Sequence, residues 1–268
     1  MGPLQLILVA LVQGLTEYLP ISSTAHLILL PRLFGWSDQG LAVDVAANTG
    51  TLLAVVAYFR KDLAVYVRAL FRAGEDGDRD GDQSARRMIP LLALASLPVL
   101  LVGIAAGDWI AGDARSPGVI AWATIGFGLV LGVADRWGPR ERRLEQVNWR
   151  HALMFGLAQA MALIPGASRA GVVISAGRLL GFDRESSARF AFLLALPVGL
   201  FVAGKDSLDL ASGALPLSQL PSLLLVAAVS AAVGYLVIGG LLGWLRRRSL
   251  QVFVGYRLAL GAVLLLVF

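Results

Sequence analysis

The chain has 268 residues, of which 57% are apolar and only 15% charged, and its mean hydropathy is +0.73. Soluble domains carry about 25% charged residues, so this composition excludes an ordinary soluble fold and indicates a multi-pass membrane protein. The formal charge of +5 does not indicate a nucleic-acid partner, because the arginines lie in short loops between apolar segments. The chain contains no cysteine, which excludes disulfides and cysteine metal sites.

Six apolar segments are long enough to cross a bilayer as helices, which takes about 20 residues each. In chain order they are 41–59, 88–106, 118–134, 187–204, 220–245 and 250–268. Apolar runs of this length are not barrel strands. The sequence therefore predicts an all-α integral membrane protein with about six full transmembrane helices.

Two further stretches, at about 4–30 and 151–181, each consist of two short apolar segments around a polar break. Neither half is long enough to span a bilayer, so each stretch is predicted to form a re-entrant helical hairpin. The breaks resemble each other, because a glutamine, a proline, a serine and an Arg-Leu-x-Gly-aromatic sequence follow at spacings that agree within one residue. The matching positions are Gln13 and Gln159, Pro20 and Pro165, Ser22-Ser23 and Ser168, and 32–36 and 178–182.

This similarity predicts two repeats in a single membrane domain, at about 1–134 and 151–268, joined by a basic loop at 135–150. Chance similarity between apolar segments is the alternative. With re-entrant hairpins, the loops on one side contain 16 arginines and lysines and those on the other side contain three. The positive-inside rule then places the 16 in the cytoplasm and both termini outside. The repeats are accordingly predicted to be inverted, with their breaks close together near the midplane.

The first break contains a carboxylate in an apolar setting. Gln13 and Glu17 are four residues apart and lie on one face of a helix. A carboxylate there needs a cation or a hydrogen-bond donor beside it, unless Glu17 simply ends a helix in headgroup water. Arg257, in the last predicted span, either pairs with Glu17 or packs without such a role.

Hydroxyls and an imidazole follow this carboxylate. Pro20 ends the first helix, and Ser22, Ser23 and Thr24 stand at the start of the next, with His26 about one turn further. Ser22 acting only as an N-cap would explain one hydroxyl, but not the whole group. A serine or His26 could serve as a nucleophile, with the other as base or acid.

The second break has the composition of an anion site. Gly166, Ser168 and Arg169 open a helix, where free backbone N–H groups, the positive end of the helix dipole and a guanidinium come together. A Pro-Gly turn with a snorkelling arginine is the alternative. Together, the two breaks suit phosphoryl transfer on a lipid whose tail stays in the bilayer.

These residues resemble the bacterial undecaprenyl-pyrophosphate phosphatases of the bacitracin-resistance type. Gln13-x-x-x-Glu17 with 20–26 (Pro-Ile-Ser-Ser-Thr-Ala-His) is similar to the first family motif, and 165–169 (Pro-Gly-Ala-Ser-Arg) to the second. The stretches Gly-Thr-Leu-Leu-Ala-Val at 50–55 and Phe-Ala-Phe-Leu-Leu-Ala-Leu-Pro at 190–197 also match, so the resemblance covers essentially the whole chain.

The resemblance implies an inner-membrane enzyme that converts undecaprenyl pyrophosphate to the monophosphate and so recycles the lipid carrier of cell-wall synthesis. It implies a divalent cation, Mg²⁺ or Ca²⁺, and an active site that opens to the periplasm between two re-entrant loops of inverted repeats. The expected partners are the lipid substrate and membrane lipids, with a homodimer as a further possibility.

The resemblance also implies roles for individual residues. Glu17 would be the essential carboxylate, which binds metal or moves a proton, with Gln13 as its partner and second metal ligand. Ser23 or His26 would be the nucleophile, unless water attacks directly. Arg169 would hold the pyrophosphate and act in catalysis. The remaining expected substrate contacts are Gln13, Ser22, Thr24, Gly166 and Ser168.

The chain departs from the family pattern at three positions. Ala170 and Val173 stand where the second motif has hydroxyl residues, and Asn48 stands where a longer polar residue is usual. A catalytically weakened lipid binder is therefore one alternative. A transporter or flippase for polyprenyl phosphates is the other, because transporters also combine inverted repeats with broken helices.

Overall fold

The chain folds into helices throughout the part that the structure, a computed structural model, describes: residues 2–37, 39–71, 80–106, 109, 114, 116–212 and 219–268, without the side chains of 80–82 and 206–212. Within these ranges there are eleven α-helices, one short 3-10 helix at Leu144–Gln146 and no β-strand. The helices are α1 Pro3–Thr16, α2 Ser23–Phe34, α3 Leu41–Tyr58, α4 Arg60–Phe71, α5 Asp80–Ala105, α6 Pro117–Trp137, α7 Trp149–Met161, α8 Arg169–Leu179, α9 Arg184–Ser212, α10 Leu220–Leu245 and α11 Gln251–Val267. The predicted all-α fold is confirmed.

Five of these helices, α3, α5, α6, α9 and α10, are long and apolar enough to cross a membrane, and they match predicted spans to within a few residues at most ends. Large side chains such as Leu101, Trp122 and Leu236 are exposed on these helices, as expected of a lipid-facing surface. The sixth predicted span forms α11, which has 17 residues. Its length of about 26 Å is slightly less than the bilayer core, so the sixth span stays a prediction.

Helix α4 was not predicted, since its residues were assigned to a polar loop at 60–87. It is amphipathic: Tyr66 and Ala69 are buried, whereas Arg68 is exposed. Arg189 of α9 donates a hydrogen bond to Asp62 at 2.9 Å, which ties α4 to a long helix. Residues 72–79 of the predicted loop lie outside the described residues.

The two helix breaks have the same backbone geometry. Ser22 precedes α2 and Ser168 precedes α8, with φ of 72° and 68°, and they are the two non-glycine residues with positive φ in the described chain. Each serine hydroxyl accepts a hydrogen bond from the backbone N–H three residues later, at 3.4 Å and 3.2 Å. The side chain that caps each helix therefore also holds its own backbone in the left-handed region.

The similarity extends beyond the serines. Gly35 and Gly181, at the ends of the two broken stretches, both have positive φ, and like Ser22 and Ser168 they are 146 positions apart. The packing is also reciprocal: α1 packs on α10 and α7 packs on α5, while α3 packs on α9 and α6 packs on α11. Helices at equivalent positions in the two predicted repeats therefore make equivalent contacts, as a two-fold relation between the repeats would require. The inverted topology stays a prediction.

Arg257 of α11 connects the two breaks. Its side chain is fully buried, and its guanidinium donates to the carbonyl oxygens of Pro20 at 3.3 Å, Gly166 at 2.9 Å and Ala167 at 3.0 Å. These carbonyls lie in the turns between the two helices of each break, so they have no intrahelical partner. Of the two roles left open from the sequence, pairing with Glu17 is therefore not the one observed.

Neighbouring helices leave room for this guanidinium. Its Nε donates to the carbonyl of Thr124 at 3.0 Å, which fixes the side chain against α6. A Cβ atom at Gly128 would lie 3.1 Å from the Arg257 Cβ atom, and one at Gly171 would lie 3.0 Å from Nη1. Glycine at these two positions lets α6 and α8 approach the arginine closely.

We expect Arg257→Lys to lower the free energy of unfolding by at least about 3 kcal/mol. An ammonium concentrates its donors at one point and cannot reach carbonyls of both breaks, and each charge-assisted hydrogen bond contributes about 1.5–3 kcal/mol. Thermal unfolding of the purified protein in detergent measures this. The matched control is Arg32→Lys, at an arginine that lies over the Phe268 ring. If Arg257→Lys and Arg32→Lys unfolded at the same temperature, Arg257 would not be what holds the two breaks together.

A candidate active site between the two helix breaks

A cleft of about 490 Å³ lies between the two breaks. Eight of the nine site residues predicted from the sequence line it, and the exception is His26. The eight residues are Gln13, Glu17, Ser22, Ser23, Thr24, Gly166, Ser168 and Arg169. Two stretches about 150 positions apart in the chain are thus brought to one place, as the sequence predicted.

Glu17 is the centre of the polar contacts in this cleft. Its Oε1 atom accepts a hydrogen bond from the Arg169 guanidinium, so the cation that a carboxylate in this setting needs comes from the other break. Its Oε2 atom accepts from Gln13 Nε2 at 3.1 Å and from Ser23 Oγ at 2.8 Å. Gln13 Nε2 also donates to Asn48 Oδ1 at 2.7 Å. The contact expected from the four-residue spacing of Gln13 and Glu17 is present.

The two residues that hold Glu17 occupy equivalent places. Ser23 is the first residue of α2, and Arg169 is the first residue of α8. The first backbone N–H groups of a helix have no intrahelical partner, and the positive end of the dipole lies there. Two helix N-termini and one guanidinium therefore meet at a cleft that contains the carboxylate of Glu17, a combination suited to binding phosphate.

His26 points away from this cleft. Its Nδ1 atom lies 2.7 Å from the carbonyl oxygen of Ser22, which can only accept, so Nδ1 carries the proton. Its Nε2 atom lies 2.6 Å from the Tyr256 hydroxyl and accepts from it in the neutral ring. The hydroxyl of Ser23 donates to Glu17 rather than to His26. The structure thus brings the serine to a carboxylate and the histidine to a tyrosine.

Three further polar residues, which were not predicted as site residues, line the cleft near the start of α3: Gln39, Asp44 and Asn48. Gln39 Nε2 donates to Asp44 Oδ1 at 3.0 Å. Asp44 and Asn48 are four residues apart in an otherwise apolar segment, the same signal that identified Gln13 and Glu17. Applying that criterion to every span would have found them.

The two substitutions of the second family motif lie outside the cleft. Ala170 and Val173 are buried in the main apolar core, where Val173 is fully inaccessible. A hydroxyl at these positions would not be part of the cleft lining as it stands. The groups that carry charge, Glu17 and Arg169, are both in place, so these substitutions give little support to a weakened site.

The donor atoms in the cleft are oxygens of carboxylates, amides and hydroxyls, the ligands that Mg²⁺ and Ca²⁺ prefer. Among the described residues, no three histidine, cysteine, aspartate or glutamate side chains cluster as a metal cage. Mg²⁺ is commonly bound by one or two carboxylates and completed by substrate phosphates. Glu17 with the Gln13 amide, and Asp44 in the same cleft lining, fit that kind of site.

Comparison with known proteins agrees with this geometry. The family model described as bacitracin resistance protein BacA matches residues 6–263. An undecaprenyl-diphosphatase of Magnetococcus marinus is 46% identical over 259 residues, 96% of each chain. One of Nitrosococcus oceani is 45% identical over 99% of this chain and 98% of its own. Undecaprenyl-diphosphatase 2 of Stutzerimonas stutzeri is 45% identical over 100% of this chain and 99% of its own.

These matches extend over nearly the whole chain, so they cover both breaks and all the long helices. The five long apolar helices, together with the match, make the chain a multi-pass membrane protein. The site and the sequence similarity lead to one conclusion. The chain belongs to the bacitracin resistance protein BacA family.

Proposed function

We propose that this chain hydrolyses undecaprenyl diphosphate to undecaprenyl phosphate and inorganic phosphate, which returns the lipid carrier to cell-wall synthesis. The observation that carries the proposal is the contact of one carboxylate, Glu17, with both a hydroxyl, Ser23, and a guanidinium, Arg169. The relatives named undecaprenyl-diphosphatase support the choice of substrate. A transporter would need an anion site, but it would not need the Ser23–Glu17 pair.

The second break binds the phosphates. Arg169 and the N–H groups at the start of α8 supply positive potential, and Ser168 and Gly166 line the same side. Gly166 has a φ of 95°, and a Cβ atom there would lie 2.4 Å from the carbonyl of Ile120, so this turn requires glycine. Charge that gathers on the transferred phosphoryl group is stabilised by these fixed donors.

The first break attacks. Glu17 Oε2 accepts the proton of the Ser23 hydroxyl as Oγ bonds to the terminal phosphorus, and the bond to the bridging oxygen breaks with release of undecaprenyl phosphate. Water then cleaves the phosphoserine and releases phosphate. In the alternative in which water attacks directly, Glu17 takes the proton of that water instead. His26 has both ring nitrogens engaged, so its role is to position the turn through the Ser22 carbonyl.

A divalent cation, Mg²⁺ or Ca²⁺, completes the proposed site. Glu17 and Gln13 would hold it, and Asp44 adds a second carboxylate to the cleft. When bound, the cation would neutralise part of the charge of the two phosphates. The side chains of the cleft orient the substrate, and Glu17 would contact both the metal and the neighbouring side chains.

In the proposed topology, six spans and two re-entrant hairpins form two inverted repeats in the inner membrane, with both termini and the mouth of the cleft on the periplasmic side. The matching geometry of Ser22 and Ser168 and the reciprocal helix packing support the repeats. The unequal distribution of loop arginines supports the orientation. The homodimer stays a prediction.

Glu17→Gln and Arg169→Ala should each reduce turnover by at least about 100-fold, because the first removes the proposed proton acceptor of Ser23 and the second removes a guanidinium that binds the phosphates. Phosphate release from undecaprenyl diphosphate by the purified, monodisperse protein measures this. Arg32→Ala, at an exposed arginine outside the cleft, is the control and should retain activity. Near-normal turnover in either site variant would contradict the assignment.

Ser23→Ala and His26→Gln separate the possible nucleophiles. We expect the wild type and His26→Gln to retain radioactive label from terminally labelled substrate after a denaturing quench, and Ser23→Ala to retain none. If Ser23→Ala keeps substantial turnover and no protein, wild type included, retains label, water attacks directly and Ser23 is not the nucleophile. Label retained by Ser23→Ala and lost in His26→Gln would instead identify His26.

Removal of divalent cations with a chelator should abolish turnover, and added Mg²⁺ or Ca²⁺ should restore it, because the cation offsets phosphate charge. Asp44→Asn should raise the Mg²⁺ concentration needed for half-maximal activity, while Asp62→Asn, at a carboxylate outside the cleft, should not. Full activity in chelator would contradict the metal proposal.

A further inference from the structure

A second cleft, of about 510 Å³, lies where α6 ends and α11 begins. Its charged lining residues are Asp135, Arg136, Arg140 and Arg184, and the indole of Trp137 forms part of its wall. Asp135 is eleven residues, about 16 Å, beyond Thr124 along α6, and Thr124 contacts Arg257 at the breaks. This cleft is therefore separate from the active site.

The cleft carries an excess of positive charge. Arg184 donates to both oxygens of Asp135, at 2.5 Å and 3.0 Å, and the backbone N–H of Leu250 donates to the same carboxylate at 3.0 Å. Asp135 is thus balanced by Arg184, with the buried Arg178 also 3.7 Å away. Arg136 and Arg140 are exposed in the lining of the cleft, and no described carboxylate pairs with them, which leaves two guanidiniums available to a ligand.

The segment that carries these arginines is held rigidly. The buried side chain of Arg178 donates to the carbonyls of Gly138 at 2.6 Å and Pro139 at 2.5 Å. A Cβ atom at Gly138 would lie 2.3 Å from the carbonyl oxygen of Arg178, so the two segments are in close contact. The loop between Arg136 and Arg140 is fixed, and little order has to be gained on binding.

An apolar surface leads away from the cleft along the outer face of α6. Val130, Val133 and Trp137 recur at helical spacing and are exposed, and Val252 of α11 is exposed beside them. An exposed tryptophan at the end of a span is typical of the membrane interface. A ligand in this cleft would meet cationic groups at one end and lipid-facing side chains along the helix.

We propose that this cleft binds the phosphates of an anionic glycerophospholipid of the surrounding bilayer, with the acyl chains along α6. Guanidiniums bind phosphate in a bidentate manner, and basic pockets between transmembrane helices bind such headgroups. Two available guanidiniums match two phosphodiesters, so a cardiolipin-type lipid is the preferred ligand. The apolar face of α6 favours a lipid over a soluble phosphate. This proposal does not depend on the proposed hydrolysis.

The test uses the double variant Arg136→Gln/Arg140→Gln and the matched control Lys61→Gln/Arg150→Gln, which removes two charges outside the cleft lining. Purified full-length protein is titrated with cardiolipin, and bound lipid is counted by native mass spectrometry. We expect cardiolipin binding to weaken about 25-fold in the cleft variant, at about fivefold for each arginine, and to remain unchanged in the control.

Three outcomes would overturn the proposal: equal weakening in both double variants, equal binding of phosphatidylcholine and cardiolipin, or full competition by inorganic phosphate at comparable concentration. The first would reduce the cleft to general surface charge, and the last would make it a site for soluble anions. Turnover in lipid-free detergent should be unaffected by Arg136→Gln/Arg140→Gln, so failure here is distinguishable from failure of the proposed hydrolysis.

Discussion

The hydrogen bonds from the buried guanidinium of Arg257 to the carbonyls of Pro20, Gly166 and Ala167 are the constraint on which the site depends. A helix can be interrupted inside a membrane only if the carbonyls that lose their partners find other donors. One side chain provides donors to both interruptions, so it fixes the distance between them. The cost of burying its charge is offset by several carbonyl dipoles rather than by a carboxylate.

That constraint determines the electrostatics of the cleft. Because the breaks are fixed together, the first residues of α2 and α8, Ser23 and Arg169, face the same carboxylate. The positive ends of two helix dipoles then act on one volume from different directions. Glu17 balances the charge of Arg169, and Asp44 adds a second carboxylate to the lining, so the proposed divalent cation would supply the positive charge that a polyanionic headgroup requires.

Which residues lie together in the cleft could be predicted from the sequence, because polar residues in an apolar chain are informative and the similar break identified the second half. It could not predict contacts that involve only backbone or distant residues. The role of Arg257 could not be predicted because its partners are backbone carbonyls, which every residue has. The orientation of His26 depends on Tyr256, 230 positions away. Helix α4 was missed because a short amphipathic helix has no run of span length.

The two breaks carry unlike residues at matching positions, so the two sides of the cleft differ in chemistry. Ser23 corresponds to Arg169, and Glu17 corresponds to Leu163, 146 positions later in each case. Gln159, the counterpart of Gln13, is buried without a hydrogen-bond partner among the described residues. A diphosphate group is itself nearly symmetric end to end. Because the two halves differ, a diphosphate bound as proposed would be held in one direction only, with its terminal phosphorus at the hydroxyl of Ser23.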